Sequence, residues 1–103
     1  MDKQLKIQTN VVKRLKKELS YYEKEAEDQK TKIQTLEQNK GDEYVIKKQR
    51  EVLDESLGMI PHTSQRLDEA IQKLKSLVEE YTQEDDLREN AVRILEEVEN
   101  GDN

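Results

Sequence analysis

Between Leu5 and Leu36 a residue able to enter a core recurs every three or four places: Leu5, Gln8, Val12, Leu15, Leu19, Tyr22, Ala26, Gln29, Ile33 and Leu36. Eight of these ten are apolar, and the positions between them are mostly charged or polar. A half-buried strand needs alternation at a period of two, which Val12-Lys13-Arg14-Leu15-Lys16-Lys17-Glu18-Leu19 lacks. A period near 3.5 instead lays one narrow stripe along a helix. The spacing predicts a long first helix over residues 3–39, with Thr9 or Asn10 as an alternative N-cap.

Gly41 follows at a place suited to a left-handed C-terminal cap, and Asp42 has a carboxylate able to cap a second helix. The chain should therefore reverse tightly. The second ladder reads Val45, Gln49, Val52, Ser56 and Met59, then Leu67, Ile71, Leu74, Val78 and Tyr81, with a change of phase across the gap. Pro61 lies in that gap. Proline lacks the amide donor and crowds the preceding turn, so a helix over 43–81 is expected to be kinked near 58–62. A complete break there would let Thr63 or Ser64 cap a restart. Thr82-Gln83-Glu84-Asp85 reads as a capping box, which starts a third helix over 83–99 with Gly101 as its stop.

Short connections make successive helices antiparallel. The expected fold is all-α: one domain over 1–103, an elongated antiparallel three-helix bundle with left-handed coiled-coil-like packing, a kink at Pro61 and a short third helix. Composition agrees, because a chain with no Phe or Trp, 32% hydrophobic residues and 41% charged ones can fill only a thin core. At about 1.5 Å per residue the first two helices reach roughly 55 Å and the third only about 25 Å. The third should lie on the C-terminal half of helix two and the N-terminal half of helix one, leaving residues 24–58 two-stranded. Such a distal end, with a partly exposed seam, suits dimerisation or docking of another protein.

The same residues argue against most chemistry. No cysteine is present for a disulfide, a thiolate metal site or a nucleophile. His62 is the only histidine and has no acidic residue at helical spacing. Three scattered glycines make no phosphate loop, no calcium-loop pattern occurs, and carboxylate pairs such as Asp54–Glu55 sit on solvated helix faces. No metal or cofactor is expected, and the chain reads as a binding protein rather than an enzyme. Nothing approaches a membrane span or a signal segment, which suggests the cytoplasm. The net charge of −6 argues against nucleic acid. The charge is polarised, however. Residues 1–24 carry seven Lys/Arg against three Asp/Glu, whereas residues 79–103 carry two against ten. A basic first helix can lie beside an acidic last one.

Three segments stand out from this composition: Val11-Val12-Lys13-Arg14-Leu15-Lys16-Lys17-Glu18, Tyr21-Tyr22-Glu23-Lys24-Glu25-Ala26, and Tyr44-Val45-Ile46-Lys47-Lys48-Gln49-Arg50-Glu51 running on to Met59-Ile60-Pro61. In this order they resemble the tubulin-specific chaperone A, or tubulin-folding cofactor A, family across residues 5–99. Val45 departs from it, since the family commonly has an acid after the tyrosine. The resemblance implies a cytosolic, cytoskeleton-associated three-helix protein that captures quasi-native β-tubulin released from the chaperonin. It would pass that subunit to the other tubulin-folding cofactors for αβ-heterodimer assembly, consuming no nucleotide. Members are monomers or homodimers. Because β-tubulin is acidic, the expected contacts are Lys13, Arg14 and Lys17 on helix one and Lys47, Lys48 and Arg50 on helix two, with Tyr21 and Tyr44 as exposed aromatic anchors. The alternative is a coiled-coil oligomerisation or adaptor module whose partner is another helix.

Overall fold

The structure, a computed structural model, describes residues 2–100. Three helices follow one another: α1 (Asp2–Gln38), α2 (Glu43–Glu80) and α3 (Asp86–Glu99). They form a rod with extents of 62 × 19 × 17 Å. α1 begins at once, so neither Thr9 nor Asn10 is a cap. Thr9 lies buried within the helix, where its hydroxyl donates to the Leu5 carbonyl at 2.8 Å, four residues back.

All ten predicted stripe positions of α1 are buried or half-buried. α2 behaves differently. Val45, Val52 and Met59, placed on the seam from the sequence, are 40%, 39% and 37% exposed. The residues turned inward are their immediate neighbours Ile46, Leu53 and Ile60, followed by Thr63, Leu67, Ala70 and Leu74. The true ladder, Ile46, Gln49, Leu53, Ser56, Ile60, Thr63, Leu67, Ala70, Leu74, Leu77, Tyr81, keeps its three-four step without interruption. The expected phase change does not occur. An unbroken heptad is the periodicity of a left-handed coiled coil.

α2 also runs continuously through Pro61. The proline is exposed, and so is Leu57, whose carbonyl loses its amide partner and faces water. Seam residues on both sides of Pro61 stay packed, so one missing hydrogen bond on the wet side does not divide the helix. Thr63 is fully buried rather than capping a new helix.

Two glutamines of the seam set the register of α1 against α2. Gln8 Nε2 donates to the Ala70 carbonyl at 3.0 Å, buried, and Gln29 Nε2 donates to the Gln49 carbonyl at 3.3 Å while also meeting the Gln49 side-chain oxygen. No buried side-chain nitrogen or oxygen among the described residues lacks a partner. That satisfaction is what lets polar groups sit in so thin a core.

The first reversal closes with the two backbone bonds of a Schellman cap: Gly41 N to Leu36 O at 2.7 Å and Lys40 N to Glu37 O at 3.2 Å. The left-handed residue is Lys40, with φ 54°, not Gly41 as the sequence suggested. Gly41 is needed for a different reason. A Cβ there would stand 3.1 Å from the Leu36 carbonyl oxygen, against which the chain turns. Asp42 then caps α2 as expected, accepting from Tyr44 N at 2.7 Å.

The second reversal departs from expectation. Residues 82–84 are not helical, and α3 starts at Asp86 with Asp85, not Thr82, as its N-cap. Asp85 is the better placed acceptor. Its Oδ1 takes the Arg88 amide at 3.2 Å, and its Oδ2 takes the Tyr81 hydroxyl at 2.6 Å. Arg88 completes a cross-brace by donating from Nη1 to the last carbonyls of α2, Val78 at 2.8 Å and Tyr81 at 3.1 Å. The hydrogen bond to Asp85, aided by burial and the nearby charges of Asp2 and Asp85, pushes the Tyr81 hydroxyl up to about 12. The same bond, together with backbone amides, holds the Asp85 carboxyl below its ordinary value. Gly101, the expected stop of α3, lies outside the described residues.

α3 covers only one end of the rod. Its Ala91, Ile94 and Leu95 join Leu5, Val12 and Leu15 of α1 and Leu67, Ala70, Ile71, Leu74, Val78 and Tyr81 in one apolar cluster. The rest, with Ala26, Ile33, Ile46 and Ser56 buried, is a two-helix stalk.

Candidate functional site

The packing that forms the stripe pushes most of the intervening Lys, Arg and Glu outward, so the sites available for recognition are helix faces. All eight predicted contact residues are exposed: Lys13, Arg14, Lys17, Tyr21, Tyr44, Lys47, Lys48 and Arg50. They do not form one patch. Lys13 and Lys17, one helical turn apart, stand where α3 ends against α1. With Lys16, Ser20, Ile94, Glu97 and Val98 they line a groove of about 310 Å³. Arg14 and Tyr21 share the neighbouring face at a seven-residue spacing. The Tyr21 ring is 63% exposed and meets Tyr22 edge-on, with ring centroids 5.6 Å apart.

The second group lies at the far tip. Tyr44, Lys47 and Arg50 border a depression of about 740 Å³ with Glu37, Lys40, Gly41, Glu43 and Ile46. The twenty residues of α1 from Lys17 to Glu37 separate the two groups by roughly 30 Å at the rise of an α-helix. Electrostatics distinguish them further. Arg50 is ion-paired with Glu37 across the helices. Lys48 Nζ lies 3.7 Å from Glu51 and 5.5 Å from the centroid of the Tyr44 ring. Among the described residues Lys13, Arg14, Lys17 and Lys47 make no ion pair.

Other exposed residues were read from the sequence as seam positions or were not singled out. Val45, Val52 and Met59 repeat every seven residues and form an outward apolar column on α2, with Leu57 and Ile7 exposed elsewhere. The signal for that column was present in the competing ladder Ile46-Leu53-Ile60-Leu67, which claims the core and leaves its neighbours outside. Ile94 and Val98, the apolar residues of the groove that Lys13 and Lys17 line, became visible only once α3 was set against α1.

Among the described residues there is no group of His, Cys, Asp or Glu able to hold a metal ion, and no helix is long and apolar enough to cross a membrane. Tyr81 and Asp85, whose titration is clearly displaced, are tied to one another in a helix junction and border none of the concavities described above.

Residues 1–97 match the family model described as tubulin binding cofactor A. Tubulin-specific chaperone A of Rattus norvegicus is 48% identical over 77 residues, which is 75% of this chain and 71% of that protein. The crystal structure of tubulin folding cofactor A from Arabidopsis thaliana superposes with a TM-score of 0.86 at 38% identity, covering 96% of this chain and 95% of that one. A solved structure described as Rbl2p, a β-tubulin binding post-chaperonin cofactor, gives a TM-score of 0.82 at 30% identity and covers 94% of this chain and 95% of that one. Helix order, rod shape and sequence thus agree over nearly the whole length, and the chain belongs to the tubulin binding cofactor A family.

Proposed function

We propose that this protein is a tubulin-folding cofactor that captures quasi-native β-tubulin after its release from the cytosolic chaperonin, holds it, and hands it on to other tubulin-folding cofactors for heterodimer assembly. The observation that carries this reading is the end-to-end match to a β-tubulin binding cofactor at 30% identity, which includes the bare stalk as well as the three-helix end. The protein acts in the cytoplasm, without a nucleotide or a catalytic centre.

A holdase for one folding intermediate needs wide contact and reversible affinity. A stiff rod with charges along its flanks supplies both: steered encounter with an acidic client, and an energy spread over many weak contacts rather than a deep pocket. In this reading Lys13, Arg14 and Lys17 engage one acidic region of the client. Lys47, Lys48 and Arg50 engage a second about 30 Å away, and Tyr21 and Tyr44 supply amphipathic area at each.

Replacement of Lys47 and Lys48 by Glu tests the contact. Capture of β-tubulin by the purified double variant is expected to fall about tenfold at low ionic strength, with a much smaller difference near 0.5 M salt, where charges are screened beyond a few ångströms. Helix content by circular dichroism should not change. Equal capture by both proteins at every salt concentration would contradict the basic-face contact. Self-association with no retained β-tubulin would favour the oligomerisation module.

A further inference from the structure

The two basic groups are not equivalent. At the tip, Arg50 is engaged by Glu37, and Lys48 is shared between Glu51 and the Tyr44 ring, so a ligand there must first displace partners. At the three-helix end, Lys13 and Lys17 make no ion pair among the described residues and line a groove together with Ile94 and Val98 of α3. Ile94 is buried and Val98 half-buried, so the floor is apolar but reachable from the groove. Glu97 is the one carboxylate among the described residues that line it, against Lys13 and Lys17, and Lys16 Nζ donates to the Glu97 carbonyl at 3.4 Å. The groove therefore keeps a positive rim around an apolar slot in a chain whose net charge is −6.

We infer that this groove between α1 and α3 seats an acidic peptide segment carrying one large aliphatic side chain, with the side chain against Ile94 and Val98 and the flanking carboxylates on Lys13 and Lys17. The inference rests on the cofactor reading for the identity of the client, and it adds α3 to the contact surface. Charge complementarity selects this occupant. A second copy of the chain has an acidic face only as the whole helix α3, which the groove is too small to admit, and a basic peptide would be repelled. The volume of about 310 Å³ accommodates one side chain, not a whole helix. Neither cation nor floor suffices alone: exposed lysines bind carboxylates weakly in water, whereas an adjoining apolar contact adds area that salt does not screen.

A fluorescein-labelled peptide of glutamates around one central leucine is the probe, with an all-glutamate peptide and a leucine among lysines as comparisons. Binding is read by anisotropy and by backbone amide shifts of the labelled protein. The leucine-containing acidic peptide is expected to bind at least about tenfold more tightly than either comparison. Its amide shifts should centre on Lys13, Lys17, Ile94 and Val98. Lys13→Gln/Lys17→Gln, which removes the rim charge without adding repulsion against Glu97, should weaken it about tenfold. Equal binding of the all-glutamate peptide, shifts centred on Lys47 and Lys48, or loss of self-association in the same variant in place of peptide binding would each overturn the inference. β-Tubulin capture is measured alongside. Capture by the wild type and undiminished capture by Lys13→Gln/Lys17→Gln would refute the groove as a client site while leaving the cofactor reading intact. A wild type that captures none would refute the cofactor reading, whatever the peptide does.

Discussion

Leu74→Ala is expected to lower the free energy of unfolding by about 2–5 kcal/mol, whereas Val52→Ala should change it by no more than about 0.5 kcal/mol. Both residues are aliphatic and lie on the same helix, and their helix propensities differ by only about a few tenths of a kcal/mol, too little to separate them. Burial does: Leu74 is 0% exposed and packs in the cluster that joins all three helices, while Val52 is 39% exposed on the outer column of the stalk. Truncating Leu74 removes contacts to a core only one side chain thick, with little around it able to relax inward. The loss is a large share of the roughly 5–15 kcal/mol that holds a typical domain together. Urea melts followed by circular dichroism check the pair. A costly Val52→Ala would mean that the first half of α2 follows the other ladder, and a cheap Leu74→Ala would contradict the three-helix cluster.

Asp85→Ala should release α3 while sparing the α1–α2 pair. α3 has 14 residues, near or below the length at which an isolated helix is marginal in water. Asp85 both caps it and anchors Tyr81, so its removal leaves the Arg88 amide without its acceptor and the Tyr81 hydroxyl with only the longer bond to Gln83 Oε1 at 3.3 Å. Amide exchange in α3 should rise to near the unfolded rate with Leu15 and Leu74 still protected, and Tm should fall by roughly 5 °C. The titration behaviour gives the same junction a pH window. The folded Asp85 carboxyl lies below its ordinary 3.8, so its stabilising contribution is present above about pH 4 and lost as pH falls through the folded value. Tyr81 is raised, so its contribution is complete below its ordinary value of 10.0 and disappears as pH climbs towards about 12. Asp85→Ala should abolish the acid step in α3 exchange and reduce the alkaline one, because burial and Asp2 still act on Tyr81. An unchanged acid step would assign it to another group.

Much of this architecture was legible because a thin core leaves few choices. The ten-position stripe of α1 fixed both the helix and its buried face, and the mismatch in helix lengths placed α3 at one end. Three misreadings share a cause, which is that several residues nearby met the same local rule. In the first half of α2, Val45-Val52-Met59 and Ile46-Leu53-Ile60 are equally apolar ladders one residue apart. Only continuity into Leu67 and Leu74 selects the second, and Pro61 suggested a change of phase that the ladder does not make. At the first reversal a glycine stood one place beyond the left-handed residue, because closeness to the Leu36 carbonyl constrains position 41 more than torsion does. At the second, Thr82 satisfied the capping pattern, but Asp85 offers a charged acceptor that also reaches Tyr81, and this tertiary bond decided where α3 begins. The candidate contacts were recognisable as exposed cations, and the Lys48 partners Glu51 and Tyr44 lie on its own helix, yet the separation into two groups and the pairing of Arg50 with Glu37 depend on which residues of another helix stand beside them.

The proposal that helix faces, and not a pocket or a reactive centre, hold a folding client is tested most directly by cross-linking. The purified protein would be cross-linked through its lysines to β-tubulin as that subunit leaves the chaperonin, and the linked residues identified by mass spectrometry. The account predicts a complex, with links from Lys13 and Lys17 at the three-helix end and from Lys47 and Lys48 at the tip to two separate acidic regions of one β-tubulin. No complex, or links confined to the chain ends and reversals, would contradict it.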